Sequence, residues 1–100
     1  MKVITLSGSM KFQKEMMNIA TELELNGDVV IQCVYFPEDK KLSDSELALL
    51  SQLHYKKIEI SDALYVVNVN GYIGTDTKKE IEYARSLHKE ILSLEPFCEI

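Results

Sequence analysis

Basic excess is missing from this chain: lysine and arginine number 11 against 16 acids, for a net charge of -5, and they form no dense stripe. Contact with duplex nucleic acid or another polyanion needs such a stripe, so that class is excluded, whereas small anions need only local donors and are not. Cysteine is scarce too. Cys33 and Cys98 stand far apart with no C-x-x-C spacing, so no metal site is expected, Cys33 reads as buried filler in an apolar run, and a reducing cytoplasm fits. No apolar run is long enough to span a bilayer, and Met1 leads into a strand-like segment without a basic-then-apolar leader, so neither membrane association nor export is expected. Neither a P-loop (G-x-x-x-x-G-K-S/T) nor a dinucleotide fingerprint (G-x-G-x-x-G) occurs, which argues against ATP hydrolysis and NAD and leaves no cofactor expected. Repeats, low-complexity segments and linkers are lacking as well.

What is present is a composition of 46% hydrophobic and 27% charged residues over 100 positions. That is one domain over residues 1–100, near the lower end of what buries a useful core unaided, so a homodimer or larger assembly would help it. The pattern alternates strand and helix. Residues 2–6 read as a first strand ending in Ser7-Gly8-Ser9, and Phe12, Met16, Ile19, Ala20 and Leu23 mark one face of a helix closed by Asn26-Gly27. Residues 28–34 read as a second strand and residues 35–42 as the longest loop. Ser43-x-x-Glu46 is a capping-box pattern ahead of Leu47, Leu50, His54 and Ile58, with Leu49, Leu53 and Ile60 widening the stripe, which predicts a helix to about Ile60. Asp62 reads as a turn residue before a third strand over residues 63–67; a third helix from about Thr75 to His88 leads to a fourth strand over residues 90–94.

Strands alternating with helices in this way predict an α/β fold: a three-layer parallel sheet with helices on both faces, in the order 2-1-3-4. In that order a crevice opens at the carboxyl ends of strands one and three, between Ser7-Gly8-Ser9 and Gly71-Tyr72-Ile73-Gly74-Thr75-Asp76-Thr77. The two glycines of the second corner are expected to take positive φ and approach a ligand, and the following helix offers unpaired N–H groups. A nucleoside or mononucleotide fits this space.

Several crevice residues admit two readings from sequence alone. Ser9 is either the cap of the first helix or a ligand contact, and Lys11 is either solvated or a point charge for a phosphate. Gly8, directly after a buried strand, marks a place where backbone amides can cradle oxygen atoms, with Met10 beside it. Thr77-x-x-Glu80 is itself a capping box, which would tie Glu80 back to its own helix. Alternatively, Glu80 shares a helical face with Ala84, Leu87 and Ile91, is angled toward the sheet, and serves as an ionised nucleophile near the anomeric carbon of a sugar. His54 lies on the inward stripe, as a core histidine or as a proton donor to a leaving base. Tyr72 and Asp76 could bind sugar hydroxyls, and Tyr35 and the loop to Leu42 could contact a base.

The combination of Leu6-Ser7-Gly8-Ser9, the strand introduced by Ser61-Asp62-Ala63, and Gly71-Tyr72-Ile73-Gly74-Thr75 leading to Glu80-Ile81-Glu82-Tyr83-Ala84 resembles the nucleoside 2-deoxyribosyltransferase superfamily. Nearest in look are its small members with a Tyr-Ile-Gly corner, and more distantly the deoxynucleoside 5′-monophosphate N-glycosidases. The resemblance covers nearly the whole chain. It implies a flavodoxin-like sheet, a covalent glycosyl intermediate on Glu80, release of a nucleobase, transfer of the sugar to water or another base, and assembly as homodimers or larger. A tyrosine that the glycosidases carry on strand one falls at Thr5, and an aspartate of their second helix falls near His54, so those helper groups do not carry over.

Overall fold

The computed structural model describes residues 1–37 and 39–97, so Glu38 and Cys98 lie outside the described residues. A four-stranded, all-parallel sheet in the order β2-β1-β3-β4 forms the middle layer. Its strands are β1 (Val3–Ser7), β2 (Val29–Ile31), β3 (Ala63–Val66) and β4 (Glu90–Ser93), and its covering helices are α1 (Gln13–Leu25), α2 (Asp44–Glu59) and α3 (Thr75–Ser86). The expected three-layer architecture and strand order are therefore those of the molecule.

Alternation along β1 sorts the layers, because successive side chains of a strand point to opposite faces. Leu6 packs on the α1 side with Met16, Ile19, Ala20 and Val67. Thr5 and Ser7 point the other way, toward α2 and α3, where Ile58, Leu64, Val66, Ile81 and Ala84 form the second core. In register, Ile4 lies opposite Ala63 and Ser7 opposite Val66, so the carboxyl ends of β1 and β3 are level.

Local signals account for the helix ends. Ser43 Oγ accepts from Glu46 N at 3.2 Å while Glu46 Oε1 accepts from Ser43 N at 2.9 Å, the reciprocal capping box that the sequence predicts at the start of α2. Asn26 closes α1. Asp62 Oδ2 accepts from Val3 N at 2.8 Å, at the end of the sheet away from the crevice, in keeping with a turn role.

Four expectations need correction. The second strand is three residues long rather than seven, because β2 pairs only with β1 and the chain beyond Ile31 leaves the ladder. The stripe on α2 is buried only at Ile58; Leu47 and Leu53 are exposed on the wall of a cavity, and Leu49 and Ile60, the latter at the C-cap, are exposed away from it. Of the two glycines after β3, only Gly71 takes positive φ (80°), following Asn70 at 55°, while Gly74 is extended at -77° and serves as N-cap of α3. Finally, the inward face of α3 is Thr77, Ile81 and Ala84; Leu87 lies beyond the end of the helix at 37% exposure and Ile91 belongs to β4.

Candidate functional site

Gly8 follows β1 where a Cβ would stand 3.0 Å from the Val67 carbonyl oxygen and 3.2 Å from its Cβ, so close approach of two strand ends demands glycine there. Beyond it, Ser9 caps a 3-10 turn, Met10–Phe12, with its hydroxyl 3.4 Å from Lys11 N, a long contact. The corner after β3 is pinned by Asn68, which is fully buried: its amide donates to Glu95 O at 2.8 Å and accepts from Glu95 N at 2.9 Å, and the Glu95 carboxylate accepts from Asn70 N. Between the two corners and α2 lies a cavity of about 620 Å³.

Of the residues that sequence reasoning singled out, the structure brings Gly8, Ser9, Met10, His54, Tyr72, Gly74, Thr75, Asp76 and Glu80 to the wall of this cavity. It does not bring Lys11, Gly71, Ile73 or Tyr35 there. The Lys11 ammonium lies 3.5 Å from the centroid of the Tyr72 ring, where the face of the π-system attracts a cation. Gly71 makes the turn, Ile73 packs on the core under α3, and Tyr35 packs on the α1 core, where burial pushes its hydroxyl up to about 12. The wall also contains Phe36, from the loop expected to contact a base, Leu47 and Leu50, read from the sequence as helix stripe rather than site, and Ser51 and Lys57, which sequence reasoning did not single out.

Glu80 is where the polar contacts around the cavity meet. The first turn of α3 is capped by Gly74 with no side-chain bond, so the Thr77-x-x-Glu80 pattern does not fold Glu80 back onto its helix end. Instead its Oε1 accepts the Ser7 hydroxyl from β1 and lies 3.0 Å from His54 Nε2 on α2, with side-chain exposures of 18% for Glu80 and 11% for His54. That imidazole contact is close but off the axis of an N–H bond, leaving Nε2 buried without a hydrogen-bonded partner. Three elements thus converge on one carboxylate oxygen. Ser7 is the residue that sequence reasoning left among the corner residues without a role. Its signal was the hydroxyl pair Thr5 and Ser7 alternating with Ile4 and Leu6 in a strand covered on both faces.

Charge around the cavity is mostly negative. Glu80 and Asp76 line it, and the one lysine among its described lining residues, Lys57, donates its ammonium to Gln32 O at 2.9 Å. Burial, and next the charge of Glu80, pushes the Cys33 thiol up to about 11, which leaves it protonated and unreactive at neutral pH. The Tyr55 hydroxyl is likewise raised, by burial and then by Glu80 and Asp76. A second, more open groove of about 830 Å³ runs outside α2 and α3, where Lys56 pairs with Glu59 at 3.3 Å and Tyr83 donates to the same carboxylate, with Lys79 and Glu82 also on its wall. Among the described residues no cluster of histidine, cysteine or carboxylates could hold a metal ion, and no helix is long and apolar enough to cross a membrane. Set against known proteins, the chain matches no family model, no curated protein and no solved structure.

Proposed function

We propose that this protein cleaves, or exchanges, the N-glycosidic bond of a nucleoside, with Glu80 as the nucleophile. One observation carries the reading: a part-buried carboxylate, free of its own helix end, faces a cavity large enough for a nucleoside at the carboxyl ends of β1 and β3. Attack of the carboxylate on C1′ forms a glycosyl ester as the C1′–N bond breaks and its electron pair passes to the base. Negative charge beside C1′ stabilises the oxocarbenium-like transition state. Asp76 and Tyr72 offer an acceptor and a donor to the sugar hydroxyls, and His54 is the titratable group nearest the nucleophile. Water or a second base then takes the sugar. The resemblance to the nucleoside 2-deoxyribosyltransferase superfamily supports the same chemistry.

The charge balance favours an uncharged nucleoside over a 5′-monophosphate, because Lys57 is engaged with Gln32 and Lys11 lies on Tyr72. The exposed Leu47 and Leu53 beside the cavity mouth suit a homodimer, and a cytoplasmic setting goes with the unpaired Cys33. The test is incubation with a panel of deoxynucleosides and their 5′-monophosphates, with free base measured by chromatography. Base release is expected from the wild type and not from Glu80→Gln; equal rates in both would remove Glu80 from the mechanism.

A second reading, a nucleotide-binding module without turnover, is favoured by the contacts that Ser7 and His54 already make to Glu80, as in a structural ion pair. Calorimetry would then show ligand binding that Glu80→Gln leaves undiminished, with no base released.

A further inference from the structure

We propose that Ser7 is a positioning residue that holds one oxygen of Glu80 so that the other, Oε2, attacks the sugar; this rests on the reading of Glu80 as nucleophile. Ser7 is fully buried and is not part of the cavity wall, so it does not touch a ligand there. Its place is rigid: it sits in β1 opposite Val66, and its carbonyl accepts from Val67 N at 2.8 Å. From that fixed point its hydroxyl donates to Glu80 Oε1, across 73 residues of sequence. Thr5, its neighbour on the same face, cannot substitute, because the Thr5 hydroxyl is engaged with Ser61 and with the Lys57 carbonyl.

A glutamate on a helix has several side-chain torsions to lose, and a nucleophile misplaced by about 1 Å loses about 100-fold in rate. With Oε1 held by Ser7 and approached by His54, Oε2 is the oxygen left to attack. A lone pair of Oε2 forms the bond to C1′ while the C1′–N pair goes to the base. Ser7 keeps its proton throughout, donating first to the carboxylate, then to the ester carbonyl, and again to the departing carboxylate when the sugar leaves. Both half-reactions therefore depend on it.

The test compares the full-length wild type, Ser7→Ala and Ser7→Thr on the deoxynucleoside that the wild type cleaves fastest. Alongside, a 2′-deoxy-2′-fluoroarabinosyl nucleoside is used to trap the glycosyl ester for mass analysis. Ser7→Ala is expected to lower kcat by about 10- to 100-fold with KM nearly unchanged and with slower labelling of Glu80, and Ser7→Thr to restore most of the rate. A wild-type kcat in Ser7→Ala, or a change confined to KM, would overturn the positioning role and leave Glu80 as nucleophile. Absence of both turnover and adduct in the wild type would instead overturn the nucleophile and this proposal's catalytic part with it. The anchoring itself is read without turnover, from crystal structures of the wild type and Ser7→Ala: the Glu80 carboxylate is expected to leave its wild-type rotamer in the variant, and an unmoved carboxylate counts against the anchor.

Discussion

On the α1 side of β1, Leu6 meets Met16, Ile19, Ala20 and Val67 in a closed apolar contact, while on the opposite side of the same strand Thr5 and Ser7 present hydroxyls to α2 and α3. The first side is apolar apart from its margin, where Cys33 and the buried Tyr35 hydroxyl lie. On the second, the buried hydroxyls of Thr5, Ser7 and Ser61 are all hydrogen-bonded, to partners that matter to the architecture. The Thr5 and Ser61 hydroxyls lie 3.1 and 2.7 Å from the Lys57 carbonyl oxygen and within hydrogen-bond distance of each other, so two protons serve three contacts that tie down the end of α2. Ser7 reaches Glu80. The sheet thus separates a closed apolar face from one that combines a core with hydrogen-bonded polar groups, and the second face is left partly uncovered along the amino-terminal half of α2.

Substitution on each side tests that division. Leu6→Ala is expected to have the largest effect, a loss of about 2–5 kcal/mol in urea denaturation, because it opens a cavity in the fully buried α1 core. Leu49→Ala on α2, where the side chain is 53% exposed, should stay within about 0.5 kcal/mol. A comparable loss at Leu49 would mean that something covers this face in solution, and a concentration-dependent melting temperature would identify it as another copy of the chain.

At the boundary between the two faces, Gly8→Ala is expected to cost about 1–3 kcal/mol, since the added methyl meets the Val67 backbone rather than a flexible side chain. Its thermal melt checks the figure, and a melt like that of the wild type would show that the strand ends part easily.

A pH-dependent effect concerns Cys33, which lines the cavity from the edge of the α1 core. Its thiol is pushed from 9.0 up to about 11, so the folded state holds the proton more tightly than the unfolded chain. The resulting contribution is whole below about pH 9 and is lost as pH rises through about 11, at about 1.4 kcal/mol per pH unit at most. Denaturation of the wild type and Cys33→Ala across that window should show a shallower decline in the variant.

Legibility in the sequence followed the range of the interaction. The capping box of Ser43 and Glu46, the closure of α1 at Asn26, the turn at Asp62 and the strand order were all readable, since each is written in local spacing or in the alternation of elements. The matching capping pattern at Thr77 and Glu80 was not decisive. An acid three residues after a threonine has the same spacing whether it turns back to its helix or outward to a neighbour, and here Ser7 and His54 offer the outward partners. Likewise, the leucines of α2 have core periodicity but stand beside an opening, because periodicity records which residues share a face and not whether another layer covers it.

The sequence by itself determined the architecture: an α/β chain with glycine corners after its first and third strands and one acid a turn and a half into the last helix. Only the tertiary structure decided that this acid meets a serine from the first strand and a histidine from the second helix, and that Lys11 and Lys57 are already engaged around the cavity. The reason is physical. Patterns along a chain report local period and average burial, whereas a contact across 73 residues exists only once the sheet has set two strand ends level and laid a helix over them.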